Sequence, residues 1–315
     1  MSAAEALLPA VTGPEDYRPC FDQTEPWLPV MRLICRRHGL DPDRLERIAE
    51  GSAIVFRAGE VLIKLLPPFW AQEAALDKLG LERARGRLPV HTPELLATGE
   101  VDAWAYLLTR RLPGRALKLL WRGLEPQCQR RLAREIGELT AALQRLDPAG
   151  LPGSQPGGWA DFRSQQARGF AAFQRDQGLA EPLITPFTVA LEQAVAAVPP
   201  ATEAVFLHSD LTDEHLLLED RDGWRLTGLL DFGDAMAGWD VYELAAPCVM
   251  LTAHRPELRR ELLTGFGREV GEDELLVAQL LHRFCHLPGL MRNGGLTSAA
   301  DEGPAAFRAC FCSLA

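Results

Sequence analysis

The chain has 315 residues and a formal net charge of −10, with 47% apolar and 24% charged residues. This length suits one large domain or two lobes, and this composition is typical of a folded globular protein. The negative charge disfavours a nucleic-acid partner, which requires a basic surface, and the lack of an apolar run of eighteen residues argues against a membrane span.

The N-terminal stretch and the cysteines indicate the compartment. MSAAEALLPAVTGPEDYRP has neither a basic start nor a continuous apolar core, so we expect no signal peptide and a cytoplasmic location. The seven cysteines include no CxxC pair, and we expect reduced, mostly buried thiols rather than a metal site.

Residues 1–112 are predicted to form a small β-rich N-terminal lobe. The first 24 residues are rich in proline and acidic groups and are predicted to be a partly extended arm. Apolar residues at helical spacing predict an amphipathic helix over Glu25–His38, closed by Gly39. The other predicted elements are β-type runs over 45–66 with turns at Gly51-Ser52 and Gly59-Glu60, a helix over Ala71–Leu81, and strands over His91–Ala97 and Trp104–Leu112.

Residues 113–315 are predicted to form a larger, mainly helical lobe that begins at Pro113-Gly114. The predicted helices are Leu124–Gln144, Trp159–Phe173, Leu183–Ala197, Val241–Leu251, Glu257–Glu269 and Glu272–His286. Between them lies a short strand pair, Ala204–Leu207 and Trp224–Leu230. We therefore predict an α+β fold of two lobes with a cleft between them.

Each strand of this pair ends in an isolated aspartate. HSDLTDEHLLL (208–218) places Asp210 in a turn, and LLDFGDA (229–235) places Asp231 after the second strand. Phosphoryl transfer from ATP requires two such carboxylates. One orients the attacking hydroxyl and accepts its proton, and the other holds the magnesium that bridges the phosphates. We expect His208 to point inward and to fix the backbone of the second loop.

These motifs resemble those of the aminoglycoside phosphotransferases, small-molecule kinases related to the protein kinases, whose pattern is HxDxxxxN followed by DFG or DxD. His208, Asp210 and Asp231-Phe232-Gly233 match, whereas the position of the asparagine is occupied by His215. The resemblance extends over roughly residues 25–290, and several runs look like the hygromycin B phosphotransferases. It implies a kinase-like two-lobed fold, ATP or GTP as donor, Mg²⁺ or Mn²⁺, and a small-molecule acceptor.

Lys64 lies within VLIKLL, flanked by apolar residues on both sides. A buried lysine needs an acid partner or a bound anion. Glu73 on the next predicted helix is the expected acid, and the nucleotide phosphates are the expected anion, as the resemblance also implies. The alternative is an edge strand with Lys64 in solvent.

Three further residues are predicted to contact the nucleotide. Ser52 lies in the tight turn of the first hairpin, where backbone amides can contact phosphate oxygens. The resemblance implies that the connector between the lobes pairs with the adenine through the Arg110 carbonyl and the Leu112 amide.

His215 leaves three outcomes open, because imidazole is a poorer magnesium ligand than an amide oxygen. In the first, His215 ligates the metal in spite of this, and Mn²⁺ is favoured over Mg²⁺. In the second, which we favour because the other site residues are retained, His215 hydrogen-bonds Asp210 or a metal-bound water. In the third, phosphotransfer is lost.

Acidic residues near both motifs are candidates for an acceptor site, since the resemblance implies carboxylates that bind ammonium groups. Asp213 is the better candidate, although a solvated loop acid is an equal alternative. Glu243 is a further candidate. For Asp240, a structural role in capping the next helix and orienting the catalytic loop is favoured. His282 and His286 lack the acid of an HExxH zinc site and are predicted instead to line the acceptor cavity.

The favoured function is ATP-dependent phosphorylation of a hydroxyl on a small polar, cationic molecule such as an aminoglycoside or amino sugar. A nucleotide-binding pseudokinase without phosphotransfer is the alternative. A protein kinase is more remote, since no APE-type signature follows Asp231.

Overall fold

The computed structural model describes residues 7–198, 203–296 and 303–315. The chain divides into two compact units. The first comprises the residues up to Arg85, His91–Pro113 and Asp231–Asp234, and the second comprises Gly86–Val90, Gly114–Leu230 and the residues from Ala235 onward. The segment Asp231–Asp234 thus lies in the first unit, although it was predicted to belong to the C-terminal lobe.

The first unit is built on a five-stranded antiparallel sheet. The strands are β1 (Leu45–Ile48), β2 (Ile54–Ala58), β3 (Val61–Leu66), β4 (Leu95–Val101) and β5 (Trp104–Arg110). Their order in the sheet is β1-β2-β3-β5-β4. Alternate residues of β2 are buried, as expected for a strand with one face on a core. The strand predicted over His91–Ala97 is β4, which begins and ends later than predicted.

Three helices accompany this sheet: α1 (Pro14–Phe21), α2 (Leu28–His38) and α3 (Ala71–Ala84). The prediction of a partly extended arm over the first 24 residues was wrong for α1, because a proline in the first turn and the acids Glu15 and Asp16 favour a helix start there. Residues 1–6 of that prediction lie outside the described residues. The helix predicted near Glu25–His38 is confirmed as α2, and Gly39 ends it in the left-handed conformation. The core of this unit includes the fully buried Trp27 and Phe56.

The second unit is mainly helical. Its longest helices match the predicted ones closely, but the predicted Glu272–His286 helix ends at Leu280, and Val241–Leu251 starts as a 3₁₀ turn over Asp240–Leu244. The helices are α4 (Pro126–Leu143), α5 (Gly158–Asp176), α6 (Glu181–Ala197), α7 (Ala245–Leu251), α8 (Pro256–Phe266), α9 (Glu272–Leu280), α10 (Leu287–Asn293) and α11 (Pro304–Phe311). In the described ranges, no helix has the length and apolarity that crossing a membrane requires.

The two predicted motif strands do not pair with each other. β7 (Val205–Leu207) pairs with β10 (Met236–Gly238), whereas β9 (Trp224–Leu229) pairs with β8 (Leu216–Asp220). The short β6 (Arg115–Ala116) pairs with the other edge of β8. β8 directly precedes β9 in the chain, whereas β10 follows β7 only after both motifs. The prediction lacked β8 and β10 because they are short or merge with the motif residues.

Candidate active site

The ammonium group of Lys64 lies between two carboxylates in the first unit. Lys64 is on the central strand β3, and 17% of its side chain is exposed. Its Nζ is 3.0 Å from Oδ2 of Asp77 and 2.8 Å from Oδ1 of Asp231. Burial alone would lower the pKa of Lys64, but the two carboxylates outweigh it and hold the pKa above its ordinary range. The ammonium therefore stays charged and oriented.

The acid on α3 that pairs with Lys64 is Asp77, so the prediction of Glu73 was wrong. Asp77 is only 5% exposed, and its Oδ1 also accepts a hydrogen bond of 3.0 Å from the backbone N–H of Phe232. Glu73 lies one helical turn earlier, beside Gly233. Residues four apart share one face of a helix, so sequence spacing could not distinguish the two acids.

The loop that carries Asp231 is anchored on α3. Asp231 has a φ of +61°, in the left-handed region, and its Oδ1 accepts a hydrogen bond of 3.2 Å from the N–H of Gly233. The fully buried Phe232 packs so tightly on Gly80 that a Cβ added there would lie 2.4 Å from the Cβ of Phe232. These contacts hold the carboxylate of Asp231 against Lys64.

The second unit carries Asp210 on a turn after β7, and His208 supports that turn. His208 is fully buried; its Nδ1 accepts a hydrogen bond from the N–H of Asp210 at 3.3 Å, and its Nε2 donates to the carbonyl of Leu230 at 2.9 Å. Leu230 immediately precedes Asp231. The inward orientation agrees with the prediction for His208.

His215 contacts the turn that carries Asp210 through Nδ1. This nitrogen lies 2.8 Å from the carbonyl oxygen of Asp210, 3.2 Å from Oγ1 of Thr212 and 3.4 Å from Oδ2 of Asp210. Because a carbonyl can only accept, Nδ1 carries a proton and donates it. The imidazole therefore ties the turn together, the geometry expected for the hydrogen-bonding role.

Glu243 is a structural support, which disagrees with its prediction as an acceptor-binding residue. It is 2% exposed and accepts hydrogen bonds from the N–H groups of His208 at 2.5 Å and Ser209 at 3.0 Å. Ser209 has a φ of +68°, so the side chain of Glu243 holds a strained turn directly before Asp210. Burial raises the pKa of Glu243 to about 8 against the opposing effect of these hydrogen bonds.

Asp240 also has a structural role. Its two oxygens pair with Arg268, at 2.6 Å from Nε and 2.9 Å from Nη2, and Oδ1 accepts from the N–H of Val241 at 2.8 Å. The backbone directly before Asp210, which Asp240 was predicted to orient, is held by Glu243 instead. Asp213 is half-buried, and burial raises its pKa while the charge of Lys118 opposes that shift.

The predicted nucleotide contacts all lie in the first unit. Ser52 is exposed in the loop between β1 and β2. Arg110 ends β5, its side chain pairs with Glu94 at 3.0 Å, and the half-buried Leu112 follows two residues later.

Sequence reasoning missed Asp77 and the support given by Glu243. His282, which is predicted to line the acceptor cavity, stacks its ring on that of Tyr242 with the ring centroids 4.7 Å apart. The signal for Asp77 was its four-residue spacing from Glu73. For Glu243 no local signal exists, since it acts on residues 34 and 35 positions earlier.

Solved structures of low sequence identity share this fold. A GDP complex of aminoglycoside 2'-phosphotransferase-IIIa aligns with a TM-score of 0.68 and 16% identity over 87% of this chain and 99% of the other. A GDP and kanamycin complex of APH(2")-IIia gives 0.62 and 19% over 87% and 96%. A macrolide 2'-phosphotransferase from Brachybacterium faecium gives 0.60 and 20% over 90% and 97%. Among curated proteins, no sequence matches.

The sequence profile of the phosphotransferase enzyme family, APH, matches residues 37–278. This range includes Lys64, Asp77, Asp210 and Asp231. It leaves α1 and all of α2 except Arg37 and His38 outside. The mixed fold, with a β-sheet first and helices after it, agrees with the match and confirms the predicted fold class. The chain therefore belongs to the phosphotransferase enzyme family.

Proposed function

We propose that the protein transfers the γ-phosphate of ATP to a hydroxyl of a small polar molecule, such as an aminoglycoside or an amino sugar. Family membership supports a phosphotransferase. The structural neighbours include a complex with GDP and the aminoglycoside kanamycin, and a macrolide 2'-phosphotransferase. The observation that carries the proposal is the Lys64 ammonium held between Asp77 and Asp231. A charged, oriented lysine beside a metal-binding carboxylate is what a triphosphate donor requires.

In this proposal the nucleotide is bound in the first unit. Lys64 contacts the phosphates, the loop around Ser52 covers them, and the Arg110 carbonyl and Leu112 amide pair with the base. These backbone contacts do not depend on the identity of the side chains, so GTP is the alternative donor.

Asp231 is proposed to hold the metal. Magnesium in such sites is bound by one or two carboxylates together with phosphates and water, so a single aspartate beside Lys64 fits its requirements. When bound, the ion neutralises the charge of the phosphates. His215 already uses Nδ1 on the Asp210 turn, which supports the positioning role; Mn²⁺ tolerates imidazole better and is the alternative ion.

Asp210 is proposed to orient the acceptor hydroxyl and to accept its proton. The turn is held from three sides by His208, His215 and Glu243, so the carboxylate is presented with little freedom. Preorganisation of this kind lowers the cost of reaching the reactive geometry.

The acceptor is proposed to be cationic, which suits the net charge of −10. Of the three acids predicted to bind it, Asp240 is engaged by Arg268 and Glu243 is buried. Asp213 is therefore the remaining candidate for an ammonium contact. Phosphorylation of an antibiotic acceptor in the cytoplasm, where ATP is supplied, would confer resistance.

The test is ADP release measured with a panel of aminoglycosides, macrolides and amino sugars, in Mg²⁺ and in Mn²⁺. We expect turnover on at least one acceptor, and we expect Asp210→Asn to lower kcat by about 10²- to 10⁴-fold while ATP still binds. Asp222→Asn, in an exposed turn of the same unit, is the matched control and should be unaffected. ATP binding without turnover on any acceptor would favour the pseudokinase, and near-normal turnover in Asp210→Asn would refute the assigned role.

A further inference from the structure

We propose that the segment Leu7–Trp27, which precedes the family domain, is a brace that positions the loop 49–53 and thereby sets the affinity for the donor nucleotide. Tyr17 is the positioning residue of this brace. The inference rests on the proposed function, because it assumes that loop 49–53 contacts the phosphates. All the contacts that carry it lie within the first unit.

The hydroxyl of Tyr17 holds the backbone of the loop. It donates a hydrogen bond of 2.8 Å to the carbonyl oxygen of Ser52, a residue 35 positions later. Tyr17 is 3% exposed. Burial raises the pKa of its phenol, so the hydroxyl keeps its proton and remains a donor.

The ring of Tyr17 is immobilised by other aromatic rings. It contacts Phe21, Phe69, Trp70 and Trp104, with ring centroids 5.2 to 6.1 Å apart. A ring fixed on several sides places its hydroxyl at one point in space, so the hydrogen bond to Ser52 fixes the loop rather than following it.

Arg47 holds the base of the same loop. Its guanidinium donates hydrogen bonds to the carbonyls of Ile48 and Val55, which form the pair of β1 and β2 residues next to the loop. The distance to the Val55 carbonyl is 3.0 Å. It also reaches the carbonyl of Phe21 at 3.4 Å and lies over the rings of Phe21 and Phe56. Phe21 ends α1, so the arginine joins the brace to both strands of the hairpin.

These contacts dictate which way the loop presents its amides. In a trans peptide the carbonyl and the following N–H point in opposite directions. Because the Ser52 carbonyl is bound to Tyr17, the N–H of Ala53 points away from the brace. Gly51, which precedes Ser52, has a φ of +88°, and no atom lies within 4 Å of the position that its Cβ would occupy. The space beside the loop at Gly51 is therefore open. Amides in such a turn are suited to phosphate oxygens.

Fixing the loop before the nucleotide arrives should strengthen binding. A mobile loop loses conformational entropy when it closes on a ligand, and that loss weakens the affinity. A braced loop has already lost this freedom during folding. Removing the brace should therefore weaken nucleotide binding while the chemical step is retained.

The test is Tyr17→Phe, which keeps the packed ring and removes only the hydroxyl. We expect the Kd for ATP with Mg²⁺, measured by calorimetry, and the KM for ATP to rise about two- to tenfold, the change expected from one neutral hydrogen bond. kcat should stay within about twofold of wild type. Arg47→Lys, which keeps the charge but loses the forked contacts, should shift Kd in the same direction.

Tyr106→Phe is the matched control. Tyr106 is also buried in the first unit, and its hydroxyl is 3.0 Å from Nε2 of His38, with no contact to loop 49–53. We expect it to lower Tm about as much as Tyr17→Phe and to leave Kd and KM unchanged. A general loss of stability would move both variants alike.

Each outcome is decisive. Unchanged ATP affinity in Tyr17→Phe and Arg47→Lys, with normal binding by wild type, would overturn the brace alone. Equal weakening in Tyr106→Phe would also overturn it, because the effect would then be one of stability. Failure of wild type to bind ATP would instead overturn the proposed function and, with it, the brace.

Discussion

Lys64 shows how a single buried charge organises the site of the first unit. Its ammonium is surrounded by apolar strand residues, so the charge is tolerated only because two carboxylates compensate it. One of these, Asp77, also accepts a hydrogen bond from the backbone of Phe232. Asp77 thus links the lysine of the sheet with the loop that presents Asp231.

We predict that Asp77→Asn lowers the free energy of unfolding by about 1–3 kcal/mol, because it leaves Lys64 with one carboxylate and removes a charge-assisted hydrogen bond. Glu82→Gln, an exposed acid on the same helix α3, is the matched control and should cost less than half as much. Equilibrium urea unfolding of both variants measures this. Equal losses in the two variants would show that the contacts of Asp77 do not stabilise the fold more than a surface acid does.

At position 215 a histidine stands where the family pattern has an asparagine, and this difference changes the chemistry of the side chain without removing its contact with the Asp210 turn. A protonated Nδ1 bonded to the Asp210 carbonyl ties the two ends of the catalytic turn, as a side-chain amide at this position also could. The imidazole supplies no hard oxygen for a metal. The geometry of His215 therefore supports a role in positioning the Asp210 turn, and Asp231 remains the proposed protein ligand of the metal.

At the scale of elements, helix packing in the second unit depends on two glycines. A Cβ added at Gly137 of α4 would lie 2.0 Å from the carbonyl oxygen of Leu262 in α8, and one at Gly265 of α8 would lie 2.0 Å from the carbonyl oxygen of Arg134 in α4. The backbones of the two helices therefore approach each other directly. A side chain at either position would have to separate them.

We predict that Gly137→Ala lowers the free energy of unfolding by about 1–3 kcal/mol, because the overpacking outweighs the better helix propensity of alanine. Gly169→Ala in the exposed middle of α5, where no atom lies within 4 Å of the added Cβ, should instead stabilise by up to about 1 kcal/mol. Urea unfolding of the two variants gives the comparison. Stabilisation by both substitutions would contradict the close helix contact.

At the scale of the whole molecule, two buried groups make stability depend on pH in opposite senses. Burial raises the pKa of Glu243 to about 8 from its usual 4.5, so between these values the folded state keeps a proton that the unfolded state releases, and stability falls as pH rises. Burial lowers the pKa of His282 to about 3 from 6.5, so stability rises with pH in that window. Above pH 6.5 the effect of Glu243 acts alone within this pair.

We predict that wild type loses up to about 1.4 kcal/mol of stability per pH unit between pH 6.5 and 8 through Glu243, and that Glu243→Gln lacks this loss. Glu192→Gln on the exposed face of α6 should keep the wild-type slope. Urea unfolding at several pH values compares the three proteins. Parallel slopes in wild type and Glu243→Gln would show that Glu243 is ionised in the folded protein throughout this range.

Local patterns in the sequence were sufficient for much of the fold. Helical periodicity located most of the longer helices of both units, and alternation with turn residues located the strands around Lys64. The short strands were harder to predict. β8 and β10 merge with the motif residues, so β7 and β9 were predicted to pair with each other instead of with β10 and β8. The helix α1 was missed because prolines and acids at its start are typical of both arms and helix termini.

What the sequence by itself determined was the chemistry: an aspartate in each of two motifs, a lysine within an apolar strand, and the family to which they belong. Residue type and short spacing are enough for this, because they are local properties. Only the tertiary structure decided which acid pairs with Lys64, that Glu243 supports the turn before Asp210, and that Tyr17 holds the Ser52 carbonyl. Each of these contacts joins residues at least thirteen positions apart, and packing of the folded chain selects among partners that local sequence leaves equivalent.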